Sequence, residues 1–95
     1  MTALHQQDLL IRNNRGLHAR AAAKFVKCAE KYDAEIIVTK DENQVSGTSI
    51  MGLMLLAASK GTAINVAVSG NQAEEAIQAL SLLVEDKFGE DRDAE

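Results

Sequence analysis

The chain has no proline, no tryptophan and a single cysteine, Cys28, in 95 residues. Without proline, no turn is locked by a pyrrolidine ring and no helix is broken by one. A lone cysteine cannot form an internal disulfide, and Cys28 has no neighbour at metal-ligand spacing, so it reads as a helix thiol without a role. The only aromatic residues are Phe25, Tyr32 and Phe88. The core must therefore be aliphatic, and a sheet built from this chain has no row of rings on which bases could stack. No apolar run approaches a membrane span, and the opening residues show no signal pattern. These absences predict a reducing, cytoplasmic setting with no membrane insertion and no nucleic-acid partner.

The net charge of −4 is unevenly placed. Residues 85–95 hold six acids and two bases, which accounts for all of it. The remaining body is neutral, so the acidic end reads as a solvated tail. A chain of this size buries somewhat above ~60% of its extended surface, enough for one core. The hydrophobic fraction of 46% is that of an ordinary globular domain.

One stretch lacks acid altogether. Between Leu9 and Ala29 lie Arg12, Arg15, Arg20, Lys24 and Lys27 and no Asp or Glu. Asn13, Asn14 and Gly16 supply a turn. An alanine-rich run begins directly after His18, which places that histidine at or beside a helix N-cap, where the first backbone N–H groups lack intrahelical partners. Partial positive charge there favours an anion by roughly 0.3–1 kcal/mol. Arg20 can reach the same oxygens with its planar fork, and Gly16 lets the backbone approach closely.

Along the chain, residues 6–12 read as a strand around Leu9 and Ile11. A helix over 19–31 buries Ala22, Phe25, Val26 and Ala29, with Lys24, Lys27 and Lys31 off that stripe. Residues 34–40 and 44–46 read as two strands joined by a turn at 41–43. Thr48 or Ser49 caps a short helix from Ile50 to about Ala58. Its Ile50, Met51, Leu53, Met54, Leu55 and Leu56 leave almost no polar face, which points to a docking surface, where flexible thioethers adapt to several partners. Residues 63–69 alternate cleanly, with Ile64, Val66 and Val68 on one face. A last helix spans 72–86 with a stripe of Ala73, Ala76, Ile77, Leu80, Leu83 and Val84. The order β-α-β-β-α-β-α predicts an α+β two-layer sandwich with one covered face.

Enzymic patterns are missing. There is no metal-ligand spacing, no nucleophile–base–acid triad and no Walker or dinucleotide glycine pattern. His5 reads as an idle surface histidine. What remains is His18 itself as a nucleophile. An imidazole nitrogen attacking phosphorus gives a phosphoramidate that can be passed on. The helix N-terminus, through the Ala19 and Arg20 amides, and the Arg20 side chain would hold the phosphoryl oxygens. From the residues alone, phosphoryl carriage and a plain anion-binding or structural site both stay open.

Gly16-Leu17-His18-Ala19-Arg20 resembles the active-site motif of HPr, the histidine-containing phosphocarrier family of the bacterial phosphoenolpyruvate-dependent phosphotransferase system. Ser49-Ile50-Met51-Gly52-Leu53-Met54 resembles that family's regulatory-serine segment, and Lys60-Gly61-Thr62 the turn after it. The resemblance covers residues 6–86. It implies an open-faced β-sandwich with a four-stranded antiparallel sheet and three helices on one face. Together with the charge distribution, it leads to the expectation of a single domain over 1–88 followed by an acidic tail over 89–95, the tail and the first residues lying outside the resemblance.

The resemblance further implies that Nδ1 of His18 takes a phosphoryl group from enzyme I and gives it to an enzyme IIA-type acceptor. Arg20 would position the group, and Lys24, Ile50, Met51, Met54 and Leu55 would meet the partners. Ser49 would be phosphorylated by HPr kinase/phosphorylase, against the simpler reading that it only caps its helix. The chain would be a monomeric carrier rather than an enzyme and would need no cofactor or metal. The family has a sugar-transport branch and a nitrogen-related, regulatory branch, and the second keeps open a protein-binding module whose docking is switched by phosphorylation. One departure is Ala21, where the family usually has proline; Ala keeps good helix propensity but adds a free N–H near the site.

Overall fold

The structure is a computed structural model and describes residues 4–91. Strand β1 (Leu4–Leu10) leads to helix α1 (Ala19–Ala29), then β2 (Glu35–Lys40), β3 (Asn43–Ser46), helix α2 (Ile50–Leu55), β4 (Ala63–Ser69) and helix α3 (Ala73–Glu85). A single 3-10 turn, Lys87–Gly89, follows. The four strands form one antiparallel sheet in the order β1-β4-β2-β3. The three helices cover one face, giving the open-faced α+β sandwich expected.

The central strand sets the layer. Ile64, Val66 and Val68 of β4 point into the core with Ile36 and Val38 of β2 and Leu9 of β1. Val66 lies in register with Gln7 on one side and Val38 on the other. The opposite face carries a polar row beside the exposed Leu4 and Leu10: Gln6 donates to Asn65 at 2.9 Å, and Asn65 donates to Asp8 at 2.9 Å. Helix α1 closes the core with Ala21, Ala22, Phe25, Val26 and Ala29. Helix α3 adds Ala73, Ala76, Ile77, Leu80 and Val84, and Leu83 is only partly buried. Phe25 and Phe88 are fully buried, each contributing about 1.5–3 kcal/mol by leaving water.

Three elements differ from expectation by two residues or more at a boundary. β1 starts at Leu4 and ends at Leu10, because Leu4 and His5 pair with Ser69 and Val68 although no alternation marks them. α1 stops at Ala29, and residues 30–34 form turns. α2 stops at Leu55, because Ala57 takes a left-handed φ of 52°. The turn it makes buries the Ala58 side chain and frees the Ala58 carbonyl to accept from Leu17 N–H at 2.9 Å. The Ala21 departure does not displace α1, which begins at Ala19 with Ala21 fully buried.

The acidic end needs a larger correction. It does not leave the domain as a solvated tail at residue 89. Phe88 anchors it in the core, Lys24 Nζ donates to the Phe88 carbonyl at 2.7 Å, and Glu90 and Asp91 fold back onto the loop before α1. Lys87 and Phe88 adopt left-handed φ of 59° and 55°. Such a conformation costs an L-residue roughly 1–2 kcal/mol, which burial of the Phe88 ring offsets. Residues 92–95 of the expected tail lie outside the described residues.

Candidate functional site

His18 is the N-cap of α1, in extended backbone geometry, and its side chain caps nothing. The first turn of α1 carries no acidic residue. The amides of Ala19 and Arg20 therefore keep the unpaired donors of a helix start, and no acceptor among the described residues engages them. The loop that delivers His18 is tightly braced. Gly16 N–H donates to the Asn13 carbonyl at 3.1 Å, and His18 N–H donates to the Gly16 carbonyl at 2.9 Å. Gly16 has φ +66°, and a Cβ there would meet the Ala58 carbonyl oxygen at 2.4 Å.

The imidazole is ordered by a partner that the sequence did not reveal. Nε2 of His18 lies 2.6 Å from Oε2 of Glu90. An ionised carboxylate only accepts, so Nε2 carries the proton, and a neutral ring then has its lone pair on Nδ1. Nδ1 has no protein partner among the described residues. The Glu90 side chain is 11% exposed. Burial pushes its carboxyl up, but hydrogen bonds from Asn13 and His18 and the charge of His18 outweigh this and hold it below its ordinary value.

Asn13 is the second residue that the sequence did not single out beyond its turn. It is fully buried. Its Nδ2 donates to the Gly16 carbonyl at 2.8 Å and to Oε1 of Glu90 at 2.9 Å. Asn14 N–H donates to Oδ2 of Asp91 at 2.6 Å. The unlike charges of the loop and the C-terminal segment were visible in the sequence; which acid meets which donor was not.

Arg15, Arg20 and Lys24 line an open cleft of about 340 Å³ with Gly89, Glu90 and Asp91. The expected positioning residue Arg20 is thus beside the histidine segment, exposed and in no ion pair among the described residues. Lys24 is also exposed but spends its ammonium group on the Phe88 carbonyl. Ser49, not Thr48, caps α2: its Oγ accepts from Gly52 N–H at 2.9 Å. α2 packs beside α1. It buries Leu53 and Leu56 and leaves Ile50, Met51, Met54 and Leu55 exposed. Burial raises the Cys28 thiol, opposed by Lys31, so Cys28 offers no ready thiolate. Among the described residues no group of His, Cys, Asp and Glu could hold a metal ion, and no helix is long and apolar enough to cross a membrane.

The fold is a small open-faced sandwich that sets one histidine at a bare helix start, where an anion could bind. The comparisons with known proteins supply the family. The family described as "PTS HPr component phosphorylation site" matches residues 5–86. The phosphocarrier protein HPr of Neisseria meningitidis serogroup A is 47% identical over 85 residues, 90% of this chain and 96% of that protein. The phosphocarrier protein NPr of Shewanella violacea is 40% identical over 90 residues, 95% of this chain and 98% of that one. The crystal structure of HPr-C-His from Thermoanaerobacter tengcongensis superposes with a TM-score of 0.88 at 44% identity, covering 93% of this chain and 99% of that chain. The chain belongs to the HPr family, a family of phosphocarriers rather than enzymes.

Proposed function

We propose that the chain carries a phosphoryl group on Nδ1 of His18, received from enzyme I and delivered to an enzyme IIA-type acceptor in the cytoplasm. The observation that carries this reading is the pairing of Nε2 with Glu90, which leaves Nδ1 as the lone-pair nitrogen of a histidine at the start of a helix. In the transfer, the Nδ1 lone pair forms the new bond to phosphorus while the bond from phosphorus to the donor atom breaks, its electrons leaving with the donor. The Ala19 and Arg20 amides and the Arg20 guanidinium would receive the phosphoryl oxygens. The exposed apolar side of α2 (Ile50, Met51, Met54, Leu55) and the cation of Lys24 would form the partner surface of a monomeric protein.

Phosphorylation of Ser49 by an HPr kinase/phosphorylase would act on this surface. It adds about −1.5 to −2 charge, and burying that charge under a partner carries a desolvation cost. The likeness to the Shewanella violacea NPr supports a second reading, a nitrogen-related regulatory protein whose docking is switched by phosphorylation. Phosphoryl flux to a sugar-specific acceptor separates the two: flux supports the sugar-transport role, and its absence supports the regulatory one.

The primary test incubates the protein with phosphoenolpyruvate and enzyme I and reads its intact mass. Wild type should gain one acid-labile phosphoryl group, and His18→Ala should gain none. Label retained in His18→Ala would overturn the assignment.

A further inference from the structure

We infer that Glu90 is a positioning residue for phosphoryl transfer: it holds the Nε2 proton of His18 and thereby keeps Nδ1 as the nitrogen that bonds phosphorus. The inference rests on His18 being the phosphoryl-bearing residue. Glu90 lies beyond residues 5–86, the part of the chain that the family match covers.

The geometry is specific. Oε2 of Glu90 meets Nε2 at 2.6 Å, and Oε1 accepts from Asn13 Nδ2 at 2.9 Å. Asn13 cannot turn its amide over, because Nδ2 also donates to the Gly16 carbonyl, which only accepts. Both carboxylate oxygens therefore face donors. The segment is fixed further by Asp91 on Asn14 N–H, by Lys24 on the Phe88 carbonyl and by the buried Phe88 ring. The left-handed residues Lys87 and Phe88 turn the chain so that the next acid, Glu90, reaches the imidazole.

The proton on Nε2 then serves both directions of transfer. When the Nδ1 lone pair bonds phosphorus, the ring becomes an imidazolium whose Nε2 proton still faces the carboxylate, and the new positive charge is stabilised there. When the phosphoryl group leaves, the bonding pair returns to Nδ1 and the ring is again a neutral imidazole with the same proton in place. No proton enters or leaves. The carboxylate also opposes the incoming phosphoryl charge. Arg15, Arg20 and Lys24, which line the same cleft, offset that repulsion.

Asn13 makes the test discriminating. In Glu90→Gln the amide oxygen is claimed by Asn13 Nδ2, so the amide NH₂ points at Nε2 and donates to it. The ring proton is then driven onto Nδ1, the wrong tautomer for attack. Glu90→Ala leaves the ring to its own balance of tautomers. The expected order of transfer rates is wild type, then Glu90→Ala, then Glu90→Gln. The glutamine variant should fall about tenfold or more, as when the carboxylate partner of a functional imidazole is replaced. A residue that merely tied down the C-terminal segment would give the reverse, with glutamine milder than alanine.

The experiment measures transfer from enzyme I to the three proteins and reads the His18 tautomer by ¹⁵N NMR of the neutral ring. Glutamine slower than alanine, with the proton on Nδ1 in Glu90→Gln, supports the inference. Wild-type transfer in Glu90→Gln, or transfer no slower than in Glu90→Ala with the proton still on Nε2, overturns it while leaving label on His18. Absence of label from wild-type His18 would instead overturn the reading of His18 itself, and the inference with it.

Discussion

Gly16 packs directly on the backbone of Ala58: a Cβ at Gly16 would lie 2.4 Å from the Ala58 carbonyl oxygen and 2.9 Å from the Ser59 α-carbon. That same oxygen accepts the Leu17 N–H at 2.9 Å. The close approach joins the histidine loop to the turn after α2. It also needs φ +66° at Gly16. Gly16→Ala meets both obstacles at once, a left-handed conformation costing roughly 1–2 kcal/mol and a backbone clash of the overpacking kind costing about 1–3 kcal/mol. The variant should lose about 2 kcal/mol or more of stability and should transfer phosphoryl groups more slowly, because His18 is two residues away. An unchanged urea midpoint would contradict this account of the loop.

Ser49 separates a cap from a switch. Its Oγ accepts from Gly52 N–H, so Ser49→Ala should cost about 1 kcal/mol, measured by thermal or denaturant unfolding. Ser49→Asp keeps an acceptor at the cap and should hold its stability. Under the proposed regulation, Ser49→Asp slows transfer from enzyme I, Ser49→Ala transfers nearly normally, and the kinase labels wild type alone. Wild-type transfer in Ser49→Asp would leave Ser49 as a cap and nothing more.

What was legible in the sequence was what periodicity and local chemistry encode. The alternation of Ile64, Val66 and Val68 gave β4 with its full bounds, and the stripe through Phe25 and Val26 gave the buried side of α1. The one-sided exposure of α2 followed from its composition. Features set by tertiary contacts were not legible. Nothing local ends α2 at Leu55; the left-handed Ala57 is imposed by the need to deliver the Ala58 carbonyl to Leu17. Asn13 looks like any turn asparagine, and its complete burial depends on a segment 77 residues further on. Glu90 is one acid in an acidic run. Only the folded position of Phe88 selects it for His18, and composition favours leaving such a run in solvent.

Glu90 also makes stability depend on pH in a defined direction. Its carboxyl is held below its ordinary value of 4.5 in the folded chain, with burial opposed by the hydrogen bonds of Asn13 and His18 and the charge of His18. Asp91 raises it slightly, and Arg15, Arg20 and Lys24 share the cleft. The unfolded chain therefore binds the proton more readily. The contribution of Glu90 is fully present above the unfolded value and is lost as pH falls through the lower folded one. The gap in urea midpoint between wild type and Glu90→Gln should narrow as pH falls through and below the ordinary carboxyl range. A gap that widened as the solution became more acid would refute this sign.

The last prediction tests whether the exposed side of α2 acts in docking or is incidental. Leu53 and Leu56 hold the helix to the core at 0% and 3% exposure. Met51 and Leu55 stand out at 68% and 76%. A charge at Met51 therefore meets water rather than the core, and Met51→Glu should change stability by no more than about 0.5 kcal/mol. Its effect should fall on association. A carboxylate in the middle of an apolar contact must be desolvated without a partner, and thioether packing is lost with it. Met51→Glu should slow transfer from enzyme I at low protein concentration and approach the wild-type rate as concentration rises, the mark of weakened binding rather than altered chemistry. Leu53→Ala provides the contrast: it should cost about 2–5 kcal/mol of stability by opening a cavity. If Met51→Glu transfers at the wild-type rate at every concentration, Met51 is not part of the docking surface, whatever its exposure.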